Sequence, residues 1–170
     1  MKCAHFTLLL GLAAAVTSLP HAHRKRALEE RPYSEFQISD GVAGNAQAEV
    51  FEQFPIDTSD LASVSASDLD IIKSARETAE AAEVDAGGFN EAIDAAGGAD
   101  SAEGAPLQTG KIKNKVLKLQ LEVLALQIEQ AQGDDGVAEK LDEEQAKLDT
   151  NVALDEEAAG QPSQSVDFDG

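Results

Sequence analysis

Between Ile112 and Ala131 two apolar seams run along one helical stretch, and no other part of the chain limits the possible folds so tightly. Ile112, Val116, Leu119, Val123 and Leu126 recur at gaps of four, three, four and three, and Leu117, Leu121, Leu124, Ile128 and Ala131 repeat those gaps. At about 100° per residue the two sets fall on separate faces. Gln120 and Gln127 divide them, and Lys115, Lys118, Glu122 and Glu129 share the remaining polar strip. A helix that is apolar on two sides needs cover on both. The segment is therefore predicted to be the central helix of a bundle, starting after Thr109 as its cap.

The flanking segments supply candidates for that cover. Val42, Ala46, Val50, Phe51 and Phe54 share a face of a helix expected from Asp40 to Phe54, ended by Pro55. Ser65-Ala66-Ser67-Asp68 forms a capping box for a second helix reaching about Asp85, with Leu69, Ile72, Ala75, Ala79 and Ala82 in line and Gly87-Gly88 as the stop. A weaker helical stretch around Phe89, Ala92 and Ile93 ends at Gly97-Gly98, and Gly104 and Pro106 mark the run to Gly110 as a mobile loop. The short link Gln132-Gly133-Asp134-Asp135-Gly136 predicts an antiparallel fourth helix from about Val137 to Ala158, outside the bundle, with its stripe at Val137, Leu141, Leu148 and Val152. Residues 27–39 read as an extended arm pinned by Tyr33 and Phe36, and 161–170 as a disordered tail. No strand pattern and no internal repeat is evident. The fold expected is all-α: a small antiparallel helical bundle of about four helices over 40–160, with an extended N-terminal arm.

The first 26 residues read differently. Lys2 precedes an apolar run from Phe6 to Val16 that is too short to span a bilayer, followed by small residues suited to cleavage. Residues 1–18 are expected to be a signal peptide and 19–26 a propeptide ending in the dibasic pair Lys25-Arg26, giving a mature start at Ala27. That stretch holds the sole cysteine, Cys3, and all three histidines, His5, His21 and His23. The product would lack Cys, His, Trp and Met, which closes off thiol chemistry, histidine-based triads and the usual zinc ligand sets. Paired carboxylates alone could hydrolyse glycosides, but sugar stacking would fall to Tyr33 without any tryptophan. The expectation is that the protein is not an enzyme and uses no cofactor. Disulfides are excluded with Cys3 gone, and no Asn-x-Ser/Thr triplet occurs. The C-terminus carries no hydrophobic anchor signal.

Charge narrows the partners. From Ala27 onward nine basic residues face 32 acidic ones, a net of −23. Such a surface repels nucleic acid and anionic membrane. The acidic clusters Asp57/Asp60, Asp68/Asp70, Asp134/Asp135 and Asp142/Glu143/Glu144 lack the ligand spacing of a calcium loop and read as solvated charge. Lys111, Lys113, Lys115 and Lys118 form the one basic run. They are a candidate docking patch for an anionic partner or polysaccharide, against the simpler reading that they neutralise neighbouring acidic helices. The two seams could likewise line a lipid cavity or face a second subunit, although core packing explains them more simply.

Arg31-Pro32-Tyr33-Ser34-Glu35-Phe36-Gln37-Ile38-Ser39-Asp40-Gly41-Val42-Ala43-Gly44-Asn45-Ala46, Phe54-Pro55-Ile56-Asp57 and the stretch from Gly110 to Gly133 resemble a family of small secreted proteins of filamentous ascomycete fungi. The chain is similar to conidial (spore-surface) wall proteins and effector-like surface proteins. The resemblance implies a secreted or cell-wall place, with cell-wall components or a host protein as partner, and transfers no catalytic motif. The expected function is a non-enzymatic acidic layer of the fungal cell surface, structural or masking. The alternatives are an effector that binds a host protein and a binder of a hydrophobic ligand or surface.

Overall fold

The structure, a computed structural model, describes residues 27–169, so the leader, Lys25 and Arg26 lie outside the described residues. In order, the elements are α1 (Tyr33–Phe36), β1 (Gly41–Val42), α2 (Ala46–Gln53), α3 (Ala66–Val84), α4 (Phe89–Ala95), α5 (Gly104–Ala131), α6 (Ala138–Glu157) and β2 (Pro162–Ser163). Two 3-10 turns, Leu61–Ser63 and Asp135–Val137, join them. The protein is an all-α bundle in which α5 lies at the centre, touching α2, α3, α4, α6 and β2. Cross-helix ion pairs fix its directions. Lys73 meets Glu129, Arg76 meets Glu122 and Glu83 meets Lys118, so α3 runs antiparallel to α5. On the other side, Lys140 of α6 also reaches Glu122.

Both seams of α5 are covered within the chain. Val116, Leu119, Val123 and Leu126 of one, and Leu117, Leu121, Leu124 and Ile128 of the other, are buried. Only the ends are looser, with Ile112 half-buried and Ala131 exposed. The seams leave no lipid-lined face. Even the divider Gln120 is buried, its Oε1 accepting from Gln47 Nε2 at 2.9 Å.

Four expectations need correction. First, α5 begins at Gly104, not after Thr109, and the stretch before Gly110 is no mobile loop. Ser101 Oγ accepts from Gly104 N at 2.8 Å, and Pro106 sits in the first turn, where its missing N–H has no intrahelical acceptor to lose. Second, α2 begins at Ala46, not Asp40. Gly41 and Gly44 hold positive φ, which leaves Gly41–Val42 as a strand. The N-terminus of α2 is instead stabilised from α6, where buried Asp155 Oδ2 accepts from Ala46 N at 2.8 Å. Third, the arm is extended only in part, because Tyr33–Phe36 forms a buried turn of helix. Fourth, the tail is ordered: Gly41 pairs with Ser163 and Val42 with Pro162 in an antiparallel ladder, and Phe168 stands edge-on to Tyr33 at 6.0 Å. A segment rich in Gln, Pro and Ser carries no pattern of its own, and its partners, from Tyr33 to Pro106, are distant in sequence. The bundle accordingly has three long helices, α3, α5 and α6, with the two short helices α2 and α4 against α5.

The capping box behaves as its residues dictate, with Ser65 Oγ accepting from Asp68 N at 3.0 Å. Asp68 does not close the box. Its Oδ1 accepts instead from Leu28 N at 2.8 Å and so fastens the start of the described chain to α3.

Tyr33 ties three elements together. Its hydroxyl donates to Asn114 Oδ1 at 2.8 Å, and Asn114 Nδ2 donates to Ala79 O at 2.8 Å, so α1, α5 and α3 share one buried hydrogen-bonded chain. Burial pushes the phenol up from 10.0 to about 12. An acid whose folded pKa is raised favours the fold only while neutral. Its contribution is therefore complete below pH 10.0 and is lost as pH climbs through about 12. Tyr33 is the sole tyrosine in a chain without tryptophan, so phenolate difference absorbance reports this residue alone. That titration should have its midpoint near 12, together with or just before loss of the helical circular dichroism signal. A midpoint at the ordinary 10.0 with helix intact would contradict the buried placement.

Candidate functional site

The lysine run was the candidate patch, and the structure distributes its four members over different partners. Lys111 Nζ donates to Asn90 Oδ1 at 2.6 Å, bridging α5 to α4. Lys115 and Lys118 both turn to Glu83 of α3, at 3.6 and 2.9 Å. Glu83 is itself buried, so two ammonium groups compensate its removal from water. Lys113 lies on another face, because positions two apart on a helix point about 200° away from each other. Its side chain is fully buried. Nζ donates to Asp40 O at 3.0 Å and Val42 O at 3.1 Å and pairs with Glu49 Oε2 at 2.9 Å, so its three protons meet three oxygens. The four lysines do not form a single surface.

Internal use extends to every cation from Ala27 onward. Arg31 donates to Gln53 Oε1 and Gln53 O, each at 2.9 Å, with its guanidinium 5.5 Å from the centre of the Phe54 ring. Arg76 pairs with Glu77, Glu80 and Glu122, Lys73 with Glu129, Lys140 with Glu122 and Lys147 with Glu144. All nine basic residues thus have a partner on the chain itself, while 32 carboxylates are present. The surplus is displayed along α6, where Glu139, Asp142, Glu143, Asp149, Glu156 and Glu157 are exposed.

Depressions in the surface are open and mixed in character. One cleft of about 380 Å³ lies between the N-terminal segment and α3, lined by Glu29, Arg31, Pro32, Phe36, Ile71 and Thr78 among others. A second, of about 300 Å³, is lined by the Arg76, Glu122, Lys140 and Glu144 ion pairs. Among the described residues no group of three or more His, Cys, Asp or Glu side chains could hold a metal ion, and no helix is long and apolar enough to cross a membrane.

Residues 28–167 match a family model described as Domain of unknown function (DUF8454). The chain belongs to that family. The DUF8454 region starts at Leu28, the residue that Asp68 fastens to α3, and it extends through the C-terminal tail to one residue short of Phe168. The family unit therefore covers nearly all of the described body, including most of the C-terminal tail. No curated protein and no solved structure matches the chain.

Two features escaped sequence reasoning. The burial of Lys113 was legible only as a lysine within an apolar helix, and its spacing from Lys111 and Lys115 suggested a single strip. Asp155, which supports α2 from α6, gave no signal, since it sits among Asp and Glu that are otherwise solvated.

Two predictions test this account. Lys113→Ala leaves Glu49 and two strand carbonyls without their partner and should cost about 3–5 kcal/mol in urea unfolding, whereas Lys115→Ala, half exposed, should cost under about 1 kcal/mol. Equal costs would refute the distinction. With a net charge of −23, the fold repels itself. Melting temperature should therefore rise as salt goes from about 0.01 to about 0.1 M, where the screening length falls from about 30 to about 10 Å. A decrease would mean that the exposed ion pairs outweigh the surplus.

Proposed function

We propose that this protein is a non-enzymatic, secreted acidic component of the fungal cell surface, matured by cleavage after Lys25-Arg26, and that it acts as a hydrated, negatively charged covering. The observation that carries this reading is the internal use of all nine cations, which turns the compositional surplus of carboxylate into an outward-facing one. A carboxylate-rich exterior holds water and counter-ions and repels other anions, which suits a layer spread over polysaccharide. The processing step draws support from the bounds of the family match. The DUF8454 match starts at Leu28, two positions beyond Arg26, and Leu28 is bonded to Asp68 and packed against the core. Cleavage after Arg26 would leave the DUF8454 unit whole.

Covering of both α5 seams removes the main support for a hydrophobic-ligand reading, and dispersal of the lysines does the same for an anionic docking partner.

Intact-mass measurement on spore-wall extracts and culture fluid tests the proposal. The expected result is a wall-enriched species starting at Ala27, and a Lys25→Ala/Arg26→Ala variant that keeps extra N-terminal residues. A product found solely in the culture fluid would refute the surface role. One that keeps residues before Ala27 in the unaltered protein would refute the processing step.

A further inference from the structure

The C-terminal tail lies in a channel that the rest of the chain is shaped to receive. Gly110 lies on a buried face of α5, and a Cβ there would collide with the carbonyl of Gln164 and come within 3.2 Å of the Phe89 ring. Glycine weakens a helix interior relative to alanine. At this position its missing side chain is the space through which the tail backbone passes. The channel offers hydrogen bonds to main chain: Pro106 O accepts from Gln164 N at 3.0 Å, and Asp40 Oδ1 accepts from Ser165 N at 2.9 Å. Pro162 and Ser163 add a strand to Gly41–Val42. Apolar anchoring comes from residues two apart. Val166 packs on the small core of Phe89, Ile93 and Leu107, and Phe168 on Tyr33. Gln161, Pro162, Gln164 and Asp167 face solvent.

This is how a protein binds an extended peptide: ladder and main-chain bonds hold the backbone, and alternate side chains fill apolar positions. The occupant joins the body through Gly160, which has φ +81, directly after α6. It is thus a short strap behind a conformationally permissive joint. We propose that the channel at Gly110 is a peptide-binding site latched by the chain's own tail. Its partner is an extended protein segment with apolar side chains at alternate positions, which takes the place of Ser163–Phe168. The tail is an intramolecular competitor at millimolar effective concentration, so the closed form excludes weak partners.

The test keeps the whole chain. Val166→Ala/Phe168→Ala removes the two anchors of the latch and leaves the channel intact. A fluorescently labelled peptide of residues 161–170 is the probe, read by anisotropy. It should bind the double variant saturably and at least tenfold more tightly than the unaltered protein, and adding Gly110→Ala to the double variant should abolish binding while helical circular dichroism is kept. Absence of saturable binding to a folded double variant, or equal binding with and without Gly110→Ala, overturns the proposal. Should the double variant fail to fold, hydrogen exchange on the unaltered chain decides. Tail amides Gln164 and Ser165 exchanging together and well before those of α5 support a latch. Exchange only with global unfolding makes the tail an ordinary part of the core and overturns it.

Discussion

The buried ammonium of Lys113 is the contact on which the placement of β1 and α2 depends. An ion taken out of water costs several kcal/mol unless every proton finds an acceptor. Here the three acceptors come from two backbone carbonyls at Asp40 and Val42 and from Glu49 of α2. The same group therefore positions β1, neutralises α2 and fastens both to the central helix. β1 in turn is the edge on which Pro162–Ser163 pairs, so the tail's placement depends indirectly on a lysine in α5.

Around that point the structure uses polar groups where its thin core needs direction. Much of the α3 face is alanine: Ala75, Ala79 and Ala82 give close approach and little apolar area. Specificity comes from groups that can be satisfied in only one arrangement, such as the Tyr33–Asn114–Ala79 chain and the Asp155 contact with Ala46. Among the described residues two buried side-chain atoms, Ser39 Oγ and Asp155 Oδ1, have no hydrogen-bond partner; Ser39 holds the tail through Ser163, and Asp155 holds α2 through Ala46. The same economy governs charge. Each of the nine cations from Ala27 onward is paired on the chain itself, most of them across a junction between elements.

These two features connect fold to function. A surface with surplus carboxylate repels most biological polyanions, and the lysines that could have made an exception are paired with groups of the chain itself. What remains open to partners is either general, through hydration and charge, or local, through the channel that the tail occupies.

Periodicity alone determined the central helix and its need for cover on two sides, because apolar spacing is a local property of 3.6-residue turns. It also determined the stop at Gly87 and the cap at Ser65, which act through the residues themselves. The acidic balance is likewise written in composition. Tertiary structure alone decided which lysine is buried. Lys111, Lys113, Lys115 and Lys118 are chemically alike, and their fates differ through the elements that happen to lie opposite. It also decided that α5 begins at Gly104 and that the tail is ordered. In both cases the stabilising partners, Ser101 within its turn and Asp40, Tyr33 and Pro106 across the fold, act through space on residues whose own propensities point to loop. Local sequence carries a residue's preference, and only the assembled fold supplies the contact that overrides it.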